Sequence, residues 1–323
     1  MKQLFDHGKK YLRNMSQSLF LESALFGALF IASFALFDLP LFYCGLGASL
    51  IGYAAQTRTS TPMMLKASGL IPINCFFFGI ALASLYDFSP AFFFFLIGGT
   101  LCVPFVTKAF YEILSHWKLS PYIIPYIFAI WLVSLCAGES WLTPRTSPFG
   151  PEPLGIATPF LSMGRMLFLP SPLFGGLICA LLFVFSPRRA IYFLIGTVVA
   201  LGAASILITD SSDLSKGLLT YSAGLLGLGL SSFHERFSGK TIILFCVLSS
   251  FVTLALNQLL RQPILPLLSL PYVLTVWLAI LSRTPRLSEN LRRPLAPVKV
   301  AVFENVHFSK PQAPTVEESE KVA

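Results

Sequence analysis

The 323-residue chain is poor in charge: 12% of its residues are Asp, Glu, Lys or Arg, against about 25% in a soluble domain. Histidine is scarcer still. His7, His116, His234 and His307 lie in polar tails or short loops and never inside an apolar run. The apolar runs hold no paired carboxylates, so general acid–base catalysis inside a membrane lacks its side chains. No Gly-rich phosphate cradle is present. The six cysteines (Cys44, Cys75, Cys102, Cys136, Cys179, Cys246) all sit in apolar runs, with no Cys-x-x-Cys pair and no neighbouring histidine. They read as small packing residues, not as a metal or disulfide framework. A signal-cleavage site is also missing: the first fifteen residues are polar and basic, and no Ala-x-Ala follows the first apolar run, so that run is expected to be kept. No enzyme activity, metal or cofactor is expected.

What is abundant is apolar surface. Hydrophobic residues make up 55% of the chain, with 31 Phe, and only a polytopic membrane protein accommodates that composition. The net charge of +8 raises nucleic acid as a partner; the placement of the charges removes it.

The chain repeats itself. Gln17-Ser18-Leu19-Phe20-Leu21-Glu22-Ser23-Ala24-Leu25-Phe26-Gly27 recurs without a gap as Arg165-Met166-Leu167-Phe168-Leu169-Pro170-Ser171-Pro172-Leu173-Phe174-Gly175, offset by 148 residues. Ser68 through Gly79 matches Lys216 through Gly227 at the same offset, and Pro125 through Trp131 matches Pro271 through Trp277 at 146. One unit is therefore used twice. The expected division is an amphipathic surface helix at 1–16, membrane repeat 1 at 17–137, a Pro/Gly/Ser/Thr-rich linker at 138–158, membrane repeat 2 at 159–284, and a cytoplasmic, disordered tail at 285–323.

Apolar runs predict spans near 19–37, 40–55, 67–86, 90–107 and 121–137, then 166–186, 189–209, 217–233, 241–260 and 265–282. Pro72 with Asn74, Pro121 with Pro125, Pro170 with Pro172 and Pro266 with Pro271 interrupt them, the pattern expected of discontinuous helices around a site. Five crossings per unit is odd, so the second unit enters from the opposite face, giving inverted repeats. With the N-terminus inside, Arg58, Lys66, Lys108, Lys118, Arg188, Arg189, Arg236 and Lys240 fall in inner loops. Outer loops hold Arg145, Lys216 and Arg261 with Asp38, Asp87, Glu139, Glu152, Asp210 and Asp213. This positive-inside bias places both termini in the cytoplasm and makes the anionic leaflet the partner of the positive charge.

Polar residues in or beside the spans are few: Gln17, Glu22, Asn74, Arg165, Ser171, Ser222 and Ser269. Most lie in the duplicated motifs at or near equivalent positions, and intramembrane polar groups mark function by default. Phe20 and Phe168 follow Gln17 and Arg165 at the same spacing. Facing rings with a few polar groups along one edge suit a flat, neutral, hydrogen-bonding solute and disfavour ions.

These motifs resemble the urea transporter family, in which each half opens with Gln or Glu, three residues, and an Asn-Pro-Leu-x-Gly run. The matches are Gln17, Phe20 and Ala24–Gly27, then Phe168 and Ser171–Gly175. The family's Gly-aromatic-Asn-Gly-x-Leu-Val-Gly segment is similar to Ile73–Gly79 and to Tyr221–Gly227. Its Leu-Pro-x-x-Thr-x-Pro-Phe segment resembles Leu265–Tyr272 and, in the first half, Ser120–Tyr126. The resemblance spans about 15–283 and implies an all-α polytopic membrane protein: two inverted repeats of about five transmembrane helices each, plus a re-entrant half-helix per repeat, assembled as a homotrimer. It implies passive, channel-like movement of urea or a related small neutral amide in a plasma (inner) membrane of the bacterial type. Gln17 would accept amide protons, and Phe20, Phe168, Tyr221 and Ile73 would stack on the solute. Phe77 and Leu225 would stand beside them, with the Ser269 hydroxyl at the middle.

Several positions depart from the family, among them Ser23-Ala24, which stand in the first half where the family has Asn-Pro. Arg165, with five donors and no acceptor, stands where the second acceptor belongs; Ile123 replaces the first Thr; Ile73 replaces an aromatic. Arg165 either snorkels to water, pairs with an acid such as Glu22, or bonds carbonyls. Phe92–Phe95 face either neighbouring subunits or lipid. The alternatives are a channel for ammonia, water or formamide, or a scaffold or degenerate homologue with a blocked pore.

Overall fold

A computed structural model describes residues 2–58, 61–145, 155, 157–207, 220–233, 236–260 and 265–283. Within these there are helices α1 (Lys2–Ser16), α2 (Ala24–Phe37), α3 (Leu39–Arg58), α4 (Met63–Ala67), α5 (Leu70–Leu85), α6 (Pro90–Ser115) and α7 (Ile124–Trp141). The second half follows with α8 (Thr158–Met166), α9 (Pro172–Phe185), α10 (Pro187–Leu207), α11 (Tyr221–Ser231), α12 (Gly239–Leu259) and α13 (Leu270–Arg283). The chain is an all-α polytopic membrane protein. Its outer face is apolar, with Leu173 77%, Ile206 85% and Phe94 74% exposed, a surface suited to lipid. Phe92 is buried while Phe93 and Phe94 are exposed, so the Phe92–Phe95 run turns one ring inward.

The duplication continues from sequence into packing. α2 and α9 are offset by 148 residues at both ends. A Cβ on Gly27 would fall on the Leu12 carbonyl, and one on Gly175 on the Phe160 carbonyl; both residues of each pair differ by 148. Gly79 against Cys44 O and Gly227 against Tyr192 O repeat the relation. Only glycine lets these backbones approach so closely. The halves also meet reciprocally. Phe26 packs on Phe185 (5.4 Å) and Phe37 on Phe174 (5.5 Å), so the start of each helix meets the end of its equivalent and α2 runs antiparallel to α9. Trp131 Nε1 donates to Pro266 O and Trp277 Nε1 to Ser120 O, both at 2.9 Å. Exchanging the halves maps each of these contacts onto the other.

Helices occupy all ten predicted spans, but among the described residues only α6, α10 (to Ile206) and α12 are long and apolar enough to cross a membrane unaided. A 14-residue helix such as α2 is only about 21 Å long, short of the roughly 30 Å of hydrocarbon. α1 and α2 together pass the same test, bent by 74° at their break. α1 is therefore not a purely surface helix. Phe5–Lys10 are exposed, but Tyr11, Asn14, Met15 and Ser16 are buried, and Tyr11 shares a hydrogen bond with Ser49 Oγ (2.9 Å). Of its apolar positions, Tyr11 packs against Ser49 and Tyr53 of α3 and Met15 is buried, while Phe5 stays 72% exposed.

The proline breaks also differ from expectation. Pro72 and Asn74 do not interrupt a helix: Pro72 is the third residue of α5, in the first turn, where its missing N–H has no helical partner to lose. The real interruptions are Phe20–Ser23 and Leu167–Ser171, before α2 and α9, and the non-helical turns that precede α7 and α13. α7 continues to Trp141, past the repeat boundary expected at 137, and 142–145 fold back on the end of α5: Asp87 N donates to Thr143 O (3.0 Å) and Arg145 N to Leu85 O (2.8 Å). Arg145 also donates to Ala83 O and lies 4.0 Å from Asp38, which gathers three of the expected outer charges at one end. The rest of the linker, except 155, 157 and 158, lies outside the described residues. So do Asp210, Asp213, Lys216, His234, Arg261 and the tail at 285–323.

Candidate functional site

Two pairs of equivalent turns build the site. The first pair follows α1 and α8. Phe20 (φ 62°) and Phe168 (φ 63°) both adopt the left-handed conformation, which side-chain-bearing residues hold at a cost of about 1–2 kcal/mol. The turn at Phe20 is locked by Ser16 Oγ, which donates to Leu21 O (2.7 Å) and accepts from Ser23 N (3.1 Å). Ser23 and Ser171 then cap α2 and α9 by accepting from Phe26 N (3.2 Å) and Phe174 N (3.4 Å). In the second pair, Tyr122 and Leu268 both have φ 45°. Strained backbone at symmetric positions is a mark of functional turns.

Two different side chains hold this second pair. Asn74 Nδ2 donates to Tyr122 O and to Leu70 O (2.9 Å each), while Asn74 Oδ1 accepts from Tyr126 N (3.1 Å). Ser222, at the position equivalent to Asn74, is too short for the task and its Oγ has no partner. Its neighbour Tyr221 supplies the bond, its hydroxyl donating to Leu268 O. Asn74, counted from sequence among the polar residues marking function, is therefore a structural clamp, and the Tyr221 hydroxyl is occupied in the same way.

Between the turns lies a cavity of about 500 Å³ of empty space, counted to its open mouth. It is lined by Gln17, Ser18, Phe20, Leu70, Ile73, Phe77, Tyr122, Ile123, Met166, Leu225, Ser269 and Tyr272. Ser18 with Met166, Phe77 with Leu225 and Ile123 with Ser269 are equivalent pairs, so the cavity reaches the axis that exchanges the halves. Its other members come from the first half, apart from Tyr272.

Of the sequence-derived residues, Gln17, Phe20, Ile73, Phe77, Ile123, Leu225 and Ser269 are brought together here. Phe168, Arg165 and Tyr221 do not line this cavity. Phe168 stands one ring behind it, edge-on to Tyr126 (6.2 Å), which in turn stacks on Phe77 (5.4 Å). Phe20 and Phe168 therefore do not face each other across this space. Arg165 is half-buried with its Nε enclosed and unpartnered, and it forms no ion pair among the described residues. Glu22 is exposed and acts electrostatically on Arg189 instead.

The polar chemistry of the cavity is sparse. Gln17 Oε1 is buried without a partner, and so are the hydroxyls of Tyr122 and Tyr272. Around them are rings and aliphatic chains. A buried acceptor without a donor is costly, and a carbonyl so placed is ready for an amide proton. Among the described residues no group of His, Cys, Asp and Glu could hold a metal.

The urea transporter family model matches residues 9–284 and, in a second match, 156–319. The chain belongs to the urea transporter family. Its two matches begin 147 residues apart, within one residue of the repeat offset, as expected if each half resembles the start of the family pattern. Membership makes the chain a membrane transport protein whose family passes urea by a channel-like route. Tyr122, Tyr272, Met166, Ser18 and Leu70 were not singled out from sequence. For Tyr272 a signal existed: it stands where the family pattern ends in Phe.

Proposed function

We propose that this chain conducts urea, or a closely related small neutral amide, passively across a plasma (inner) membrane. The observation that carries the proposal is the buried, unpartnered Gln17 Oε1 in a cavity otherwise walled by rings and aliphatic side chains. An amide N–H relieves that acceptor, while an ion finds nothing to replace its hydration shell. Phe20 and Phe77 offer faces for a planar solute, and Ser269 offers a hydroxyl at the exchange axis. Arg165, Phe168 and Tyr221 belong to the other half of the same route. There the guanidinium donates to the solute carbonyl and repels cations.

The antiparallel α2 and α9 support inverted repeats about an axis in the membrane plane, with α1 and α8 as re-entrant half-helices and both termini cytoplasmic. The domain limits 17–137 and 159–284 follow the repeat, and family membership supports a homotrimer with one pathway per subunit. Purified protein in liposomes tests the function. Urea is expected to equilibrate faster than in protein-free vesicles, without exceeding equilibrium under imposed proton or sodium gradients. Permeability equal to that of protein-free vesicles, or gradient-driven accumulation, overturns it.

A further inference from the structure

Tyr126 and Tyr272 are equivalent residues with unequal partners. Tyr126 donates to Ser269 Oγ (3.4 Å). The position that mirrors Ser269 is Ile123, which carries no polar atom, and the Tyr272 hydroxyl has no partner. Tyr272 is 1% exposed and lines the cavity. A Cβ on Gly229 would lie 3.4 Å from Tyr272 Oη and 3.2 Å from Phe20 Cζ, so hydroxyl and ring edge share one wall. Tyr122 lines the same cavity, 6% exposed, its ring 6.2 Å from that of Tyr272 at 72° and its hydroxyl likewise unpartnered. Two enclosed phenols with no bond partner are a liability unless a ligand uses them, because Phe would fill the same volume without stranding a donor.

We propose that Tyr122 and Tyr272 are specificity-determining residues whose hydroxyls donate to the carbonyl oxygen of the solute while Gln17 Oε1 accepts its N–H. This rests on the urea-pathway reading and adds to it a donor pair in this half of the cavity. A site with both an acceptor and donors selects solutes that carry N–H groups and a strong carbonyl acceptor together. Thiourea keeps the N–H groups but offers a sulfur, a much weaker acceptor. The phenols are therefore the part of the site that separates urea from thiourea, while Gln17 treats both alike.

The test compares wild type, Tyr122→Phe, Tyr272→Phe, the double variant and Gln17→Leu in liposomes, for urea and thiourea permeability and for melting temperature. The double variant is expected to lose about tenfold in urea permeability, the worth of roughly one hydrogen bond in the rate-limiting position, with a smaller loss for thiourea, so that the urea-to-thiourea ratio falls. Its melting temperature should stay level or rise, since no protein bond is lost. Gln17→Leu should lower both permeabilities together. A wild type that conducts no urea overturns the pathway reading and this proposal with it. A conducting wild type with an unchanged ratio in the double variant overturns the proposal alone. A large fall in melting temperature in both single variants also overturns it, by showing the hydroxyls to be structural.

Discussion

At the scale of the single residue, Phe20 and Arg165 offer the clearest changes. Phe20 is half-buried and forms part of the cavity wall, so Phe20→Ala opens space that solvent enters instead of leaving a dry void. Its cost should fall below the roughly 3–5 kcal/mol of an enclosed Phe→Ala. Discrimination against methylurea should weaken, as measured by permeability ratios beside a melting curve. Phe26, with no exposed surface, serves as the control that loses stability by the full amount. For Arg165, two substitutions separate two roles. Arg165→Gln should raise urea flux if the guanidinium narrows the path, and Arg165→Leu should lower it if its donors hold the carbonyl. Wild-type flux in both variants, with folding intact, removes Arg165 from the pathway. The sequence exposed Arg165 because a charge in an apolar repeat stands out. Tyr122 and Tyr272 did not stand out, because a tyrosine among 31 Phe and 10 Tyr reads as core. Only the missing hydrogen-bond partners separate them from it.

At the scale of the element, the turns before α7 and α13 depend on different clamps. Asn74→Leu strands Tyr122 O and Tyr126 N in a buried position, at about 1–3 kcal/mol for each group. It should lower the melting temperature and disturb urea flux together, because it releases the backbone that presents Tyr122 and Ile123. Tyr221→Phe removes one bond, to Leu268 O, and should cost less; thermal unfolding in detergent by fluorescence ranks the two. Most of the helices were legible, since ten apolar runs forecast ten of them. The turns were less so. Proline was visible at 72, 121, 125, 170, 172, 266 and 271, yet Pro72 sits harmlessly in a first turn. Left-handed turns fall on Phe20 and Phe168, residues with no local preference for a positive φ. Tertiary packing imposes that conformation, and no single-residue propensity announces it. The packing of α1 against α2 was hidden for a similar reason: an apolar stripe on a short basic helix looks the same whether lipid or α2 covers it.

At the scale of the whole molecule, the halves are fastened by the paired rings of α2 and α9 and by the two tryptophan bonds. Because these bonds exchange under the repeat, Trp131→Phe and Trp277→Phe should destabilise by similar amounts, about 1 kcal/mol each. Unequal losses beyond error would show that the halves carry unequal load. Native mass spectrometry is expected to show a trimer, and a sole monomer or dimer would refute that assembly.

The frame that exchanges its halves so evenly holds chemistry that does not. One end offers a carbonyl at position 17, and its mirror at 165 offers a guanidinium; one tyrosine is bonded to Ser269, and its counterpart is free. The passive pathway proposed above has no energy source and obeys microscopic reversibility, so this lopsidedness cannot make it a one-way valve. At dilute solute, inward and outward permeability coefficients must agree. What the asymmetry can set is crowding: the half-saturating concentration is free to differ between the two faces. A channel of this build, oriented uniformly in vesicles, can therefore saturate earlier when loaded from one side than from the other while conducting equally from both when the solute is scarce.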